Sequence, residues 1–313
     1  MAKIVEDSLI LHYKRLFSSN KVMDDVTHNK EIAARKAQVD ATSSAGDAVT
    51  PLVSVLMPAY NQRDYVSEAL DSLLAQTYGR WEAIVVDDGS PDDVAEVVGA
   101  YVKKDSRIKF FHTENHGLPG ARNFAVTQAN GEFLLPLDAD DTIEPTYLEK
   151  CIAEFAARPE AEAVYCQWHL FGAVKKTKPI YYKGYKSLLL CNSLFVTTMI
   201  RRQRFLEVGG YDESMRKGLE DWEFWLRYLD EDSMVIQIPE PLFNYRIKAQ
   251  SMITDAMSTQ KRFDIEYYIM GKHREKYAAL FGSPITTYSV AERLAKKYYG
   301  MWYKRLWRKL RGR

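Results

Sequence analysis

Three carboxylates, Asp138, Asp140 and Asp141, fall within four residues directly after the apolar run "FLLPL". Acids gathered that tightly repel one another unless they share a cation. Hard oxygen ligands of this kind suit Mg²⁺ or Mn²⁺, with phosphate oxygens completing the shell. Two further polar clusters follow β-rich runs: Pro58, Ala59, Tyr60 and Asn61 after "LVSVLM", and Asp87, Asp88, Gly89 and Ser90 after "WEAIVV". Asp88 is suited to accept hydrogen bonds from the N–H edge of a nucleobase, and Ser90 to anchor ribose or phosphate. "DDGSPDD" is equally a turn sequence, and turns often carry functional residues. Far downstream, Glu220 and Asp221 precede Trp222, Trp225, Leu226 and Leu229, whose spacing is that of a helix with an aromatic buried face. Acids in a first turn complement the helix dipole. A carboxylate set beside apolar rings also holds its proton more tightly, as a general base requires.

The elements that must position these residues are legible from Leu52 onward. Short β-rich runs alternate with segments of helical period: "DYVSEALDSLLAQ", "DDVAEVVGAYVKK" and "ARNFAVTQAN". That alternation predicts right-handed crossovers and a mostly parallel sheet flanked by helices. Ligands of such sheets sit outside the carboxyl ends of the strands, which is where all three polar clusters fall. Asp141, ahead of "TIEPTYLEKCIAEFAA", is placed either to join the site or to cap the following helix. The expected organisation is an N-terminal helical extension and linker over 1–50, and a main domain over 51–250. Its first half runs to about 145 and its second from about 146. A helical, basic-aromatic tail occupies 251–313.

The whole chain bounds the partners. With 43 Lys+Arg against 42 Asp+Glu its net charge is +1, which favours no class of partner. The stretch from Ala291 to Arg313 holds nine Lys/Arg and one Glu, interleaved with Tyr298, Tyr299, Trp302, Tyr303 and Trp307. It fits an interfacial helix on an anionic membrane surface, or an amphipathic helix packed on its own domain. No nucleic-acid-reading module accompanies it, so no nucleic-acid partner is expected. Cys151, Cys166 and Cys191 are odd in number and form no C-x-x-C pair, the pattern of reduced thiols in a cytoplasmic protein. The N-terminus has no apolar core of a secretory signal, and no run is long enough to span a bilayer.

"VSVLMPAYNQRDYVSEALDSLLAQTYGRWEAIVVDDGSPD", "ENHGLPGARN", "GEFLLPLDADD" and "GGYDE…GLEDWEFWLRYL", in this order, resemble the family 2 inverting glycosyltransferases with a GT-A fold. The resemblance covers roughly Pro51 to Arg246. It implies a nucleotide-sugar donor, with UDP favoured, a divalent metal, and a hydroxyl of a glycan or lipid-linked glycan as acceptor. It further implies that Pro58, Tyr60 and Asn61 cradle the nucleotide, Asp88 reads the base, and Arg122 lies near the donor. Asp138 matches a sugar or ribose contact, Asp140 the metal ligand, and Asp221 the catalytic base. On this reading nucleotide binding weakens when metal is chelated. One departure stands out: many relatives carry Tyr-Arg-x-His after the base helix, whereas here "NYRIK" puts Lys248 at the His position. Lysine offers a point charge to diphosphate but is a poor metal ligand while protonated. Arg246 is either a phosphate contact or a surface cation. "LDADDTI" also satisfies D-x-D-x-T, the nucleophile loop of haloacid-dehalogenase-type phosphatases, in which Asp138 would be phosphorylated. A non-catalytic nucleotide-sugar-binding protein is a third reading.

Overall fold

The computed structural model describes residues 50–173, 179–248, 259–282 and Arg293. Expectations for the N-terminal extension and for the basic-aromatic tail lie outside the described residues. Thr50–Arg274 forms one compact unit.

Its core begins with a βαβ series. β1 (Val53–Ala59) and β2 (Trp81–Asp88) are buried along their entire lengths. Strands covered on both faces read as continuous apolar runs, and that is how their sequences read. Between them α1 (Val66–Leu74) buries Val66, Ala69, Leu70 and Leu73 at helical spacing. α2 (Val94–Lys104) leads to β3 (Ile108–Thr113), and α3 (Gly117–Gln128) to β4 (Phe133–Pro136). β2 pairs in parallel with β1 and β3, and β1 in parallel with β4. The register aligns their carboxyl ends: Ala59 lies opposite Asp87, and Asp87 opposite His112. Gly131, before β4, sits where an added Cβ would lie 2.6 Å from the Ser54 nitrogen, so only glycine lets β4 start beside β1.

The second half is less regular. After β5 (Thr142–Ile143) come α4 (Tyr147–Ala157), β6 (Ala161–Gly172), α5 (Tyr185–Leu188) and β7 (Met199–Arg201). α6 (Arg202–Glu207), α7 (Glu220–Tyr228), β8 (Met234–Ile247), α8 (Thr259–Lys272) and α9 (Arg274–Phe281) follow. The single sheet runs β3-β2-β1-β4-β7-β6-β8-β5. β7 is antiparallel to β4 and β6, and β5 is antiparallel to β8, while β6 and β8 are parallel. The sheet is therefore mostly parallel, as its alternating pattern predicts, with two short reversed strands in the second half.

Three local expectations change. Asp141 does not cap a helix: Thr142–Ile143 is a strand, and α4 begins only after Thr146. β5 takes those residues because they pair with Phe243 and Asn244 of β8, a partner distant in sequence. α3 starts five residues before Arg122, with Pro119 tolerated in its first turn. Leu229 ends α7 as an extended C-cap.

Candidate functional site

The loop after β1 makes the first wall. Asn61 sits at φ 55°, a left-handed conformation that Asn adopts more readily than most residues. Its N–H donates to Ser90 Oγ at 2.7 Å. Ser90 is itself held by its N–H on Asp87 Oδ1 and by its hydroxyl on Asp92. The β1 and β2 loops are thus one hydrogen-bonded unit. Gly89, at φ 66°, supplies the turn between the acids and Ser90. Pro58 lies inside β1, and Tyr60 is half exposed. Asp88 is 2% exposed, and its Oδ1 accepts the His116 N–H at 2.8 Å, which fixes the start of α3.

The three carboxylates after β4 have three different surroundings. Asp138 Oδ1 accepts a 2.7 Å hydrogen bond from Arg122 Nη2. Asp140 Oδ2 pairs with Lys248 Nζ at 2.7 Å. Asp141 is buried, and its Oδ1 accepts the backbone N–H of Arg246 at 2.8 Å. Burial, then the charge of Asp138, raises the proton affinity of Asp140 above the usual carboxylate range. Burial and both neighbouring acids push Asp141 up further.

The register of β5 on β8 explains who meets whom. Thr142 pairs with Asn244; carried two residues further, that register sets Asp140 across from Arg246 and brings Lys248 to the same corner. Arg246 donates from Nε to the Asp140 carbonyl at 2.8 Å and from Nη2 to Glu68 at 2.7 Å. Its guanidinium lies 4.8 Å from the Tyr65 ring centroid and 4.3 Å from that of Phe171. It is a packed clip that fixes the acidic loop.

Asp221 arrives by a strained turn. Gly218 has φ 104° and Leu219 φ 60°; a left-handed leucine is an uncommon, costly conformation of the sort that gathers at functional sites. It makes Glu220 and Asp221 the first two residues of α7. Trp222 Nε1 donates to the Leu188 carbonyl, and Trp225 is fully buried, which anchors the helix. Its far side is tied down by fully buried Glu223, which meets Arg227, Lys272 and His273. Asp221 Oδ1 accepts its neighbour's N–H from Trp222, and Oδ2 accepts Asn192 Nδ2, both at 2.8 Å. Burial, and then the charge of Glu220, push the Asp221 carboxyl up to about 7.

One residue joins the two acidic corners. Arg122, 1% exposed, donates to Asp138 from one terminal nitrogen and to Glu220 from the other, each at 2.7 Å. The chain Asp138–Arg122–Glu220 therefore ends one residue from Asp221. Tyr245 stands in the field of both corners: burial, then Asp141, Asp138, Asp140 and Asp221, raise its hydroxyl above the usual tyrosine range.

Among the described residues, Arg122 Nε, Asp141 Oδ2, Asn192 Oδ1 and the Tyr211 hydroxyl are buried without a hydrogen-bond partner. Native interiors leave few such groups, and each calls for an explanation. Tyr211 lies in the field of Arg122, Asp221, Glu220 and Asp138, which ties two of these groups, Tyr211 and Arg122, to the acidic corners. Sequence reasoning missed Asn192, Tyr245 and the bridging role of Glu220. Asn192 lies in "KSLLLCNSLFVTTMI", a stretch readable as either pocket or core; most of it is core, with Leu188, Leu194, Thr197 and Thr198 buried.

Comparison with known proteins finds the glycosyl transferase family 2 model matching residues 54–217. That match ends just before α7. An uncharacterized glycosyltransferase of Haemophilus influenzae is 30% identical over 270 residues, 81% of this chain and 90% of its own length. One of Methanocaldococcus jannaschii is 31% identical over 239 residues, covering 73% of this chain and 81% of that protein. Among solved structures, S. aureus TarS 1-349 in complex with UDP-GlcNAc matches with a TM-score of 0.61 at 22% identity, over 70% of this chain and 64% of that one. The complex of TarS 1-349 with UDP matches at 0.55 and 23% identity, over 63% of this chain and 60% of that one.

Proposed function

The chain belongs to glycosyl transferase family 2, and on that premise we propose that it transfers a sugar, with inversion, from a UDP-sugar to a hydroxyl of a glycan or lipid-linked glycan. The observation that carries the reading is the Asp138–Arg122–Glu220 chain, which spans from the acidic loop to the residue before Asp221. Two similar structures are TarS 1-349 in complex with UDP and with UDP-GlcNAc, which favours uracil in the donor. The nucleoside is assigned to the joined β1 and β2 loops, with Pro58, Tyr60 and Asn61 lining it, Asp88 facing the base and Ser90 the ribose or phosphate. Asp138 is assigned to the sugar or ribose.

Mg²⁺ or Mn²⁺ is assigned to this corner from the family reading, although Asp140 is already paired with Lys248 Nζ at 2.7 Å. Burial, and after it the charge of neighbouring acids, raises the proton affinity of Asp140 and Asp141, and Asp141 Oδ2 has no partner among the described residues. Asp140 is the one side chain assigned to hold the ion, the remaining ligands being diphosphate oxygens and water, which is the usual arrangement for Mg²⁺. When bound, such an ion supplies positive charge to the departing diphosphate.

The protein's own part is acid–base chemistry and orientation. Asp221 accepts the acceptor's hydroxyl proton while the oxygen bonds to the anomeric carbon. The bond from that carbon to the diphosphate breaks on the opposite face, and its electron pair leaves with the nucleotide. A carboxyl raised to about 7 is matched to that transfer at neutral pH. The Asn192 amide and the Trp222 N–H fix its orientation. Phosphatase chemistry at Asp138 is set aside by the family the chain belongs to, and because its Oδ1 is committed to Arg122. No helix among the described residues is long and apolar enough to cross a membrane; a peripheral position on the inner face of the plasma membrane would rest on the tail.

The test is a panel of nucleotide sugars with Mn²⁺. Asp221→Asn is expected to keep UDP affinity within about threefold while transfer falls about 10²–10⁴-fold. UDP binding with no turnover of any donor by the unaltered protein would leave a binding protein in place of an enzyme.

A further inference from the structure

Lys248 stands where many relatives carry His. Its ammonium is 2.7 Å from Asp140 Oδ2 and 2.8 Å from Gln62 Oε1, and 4.3 Å from the ring centroid of Tyr65. Gln62 and Tyr65 belong to the loop after β1, and Asp140 to the loop after β4. The lysine therefore bridges the loop after β1 to the loop after β4, which the proposed function assigns to the nucleoside and to the sugar end. An ammonium has three N–H donors and no acceptor. Two are directed at Asp140 and Gln62, and the third suits a phosphate oxygen. Arg246 is committed to the Asp140 carbonyl, to Glu68 and to two aromatic rings, and Arg122 to Asp138 and Glu220.

Two cations on one carboxylate oppose each other. A divalent ion on Asp140 would meet the Lys248 charge at short range, in a site with limited solvent to screen it. An imidazole at this position would offer such an ion a lone pair, whereas lysine offers it repulsion. We propose that Lys248 is a built-in cation for the donor diphosphate, so that nucleotide binding here persists without a divalent metal. This rests on the nucleotide-sugar reading above and departs from the metal dependence that the family resemblance implies.

The experiment is calorimetric titration of UDP, and of GDP as a check on base preference, into the full chain, in EDTA and then in Mn²⁺. The unaltered protein is expected to bind UDP in EDTA and to gain less than about tenfold from Mn²⁺. Lys248→Met removes a charged hydrogen bond and should weaken binding in EDTA about 10- to 100-fold, with a smaller loss in Mn²⁺. Lys248→His should lose metal-free binding yet bind Mn²⁺ alone more tightly than the unaltered protein, as read by electron paramagnetic resonance. Gln62→Ala leaves the ammonium but removes one anchor, so a loss of about 2- to 10-fold in EDTA is expected; it reports on the same contact should Lys248→Met fail to fold. UDP binding that needs Mn²⁺ and is indifferent to Lys248→Met and Gln62→Ala overturns the proposal and leaves the glycosyltransferase reading intact. Absence of binding of either nucleotide under both conditions overturns both.

Discussion

Asp138 and Asp140 each face a full positive charge at 2.7 Å, from Arg122 and Lys248, whereas Asp221 faces an amide and a backbone N–H. Both corners take acids out of water, and each answers that cost according to what its acids must do. At the first corner the acids are given cations, though burial and the charge of Asp138 still raise the proton affinity of Asp140. At the second, Asp221 is given neutral donors, which orient it while leaving its proton affinity high. Arg122 touches the first corner directly and reaches the second only through Glu220, so it lowers the Asp221 carboxyl less than burial and Glu220 raise it.

Breaking the bridge should have the largest effect. Arg122→Met leaves Asp138 and Glu220 without their shared partner, and removing one member of a buried ion pair costs roughly 3–5 kcal/mol. That is about 10 °C in Tm for a domain of this size, readable by calorimetry. A loss as small as that of a surface pair would show that the two corners are independent.

The contrast at Asp221 is sharpened by Asn192→Ala. The base must be unprotonated, so kcat/KM is expected to fall as pH drops below about 7. The Asn192 hydrogen bond favours the ionised form; without it the acid limb should move to higher pH, while the plateau at alkaline pH changes by less than about tenfold. An unmoved limb would mean that another group sets it.

Stability runs the opposite way to activity. The folded Asp221 carboxyl titrates above its unfolded counterpart, so folding binds a proton at intermediate pH. The group's contribution therefore becomes unfavourable as pH rises from about 4 through about 7. Asp221→Asn should thus be more stable than the unaltered protein at pH 8, by about 2–4 °C, the shift that roughly 1 kcal/mol produces in a chain of this size. The advantage should vanish near pH 4.

The smallest effect is expected at Asp141. Burial and its acidic neighbours hold it well above the usual carboxylate range, and Asn keeps an oxygen to accept the Arg246 N–H. Asp141→Asn should change stability by less than about 1 kcal/mol and UDP affinity by less than about threefold. A larger loss of UDP affinity in Mn²⁺ alone would make Asp141 a partner of the metal.

The difference between the halves of the domain also governs what can be read without coordinates. The order of β1, α1, β2, α2, β3 and β4 is legible because β1, β2 and β4 are buried along their lengths and α1 and α2 carry a 3.6-residue stripe. Local pattern therefore carries tertiary information there. The clusters at Asn61, Asp88 and Asp138 follow, since parallel strands present their carboxyl ends together. β5 was hidden because a two-residue strand has no period, and its identity comes from β8, a hundred residues away.

Sequence by itself determined the residue types at the site, the mostly parallel sheet and the family, because periodicity and motif spacing are properties of the chain. Only the tertiary structure decided which charge answers which. The Lys248 ammonium reaches Asp140 through the pairing of β8 with β5, and Arg122 reaches Glu220 across 98 residues. Electrostatic partners are chosen by distance in space, and in this domain that distance is set by strand register and by one strained turn before Glu220.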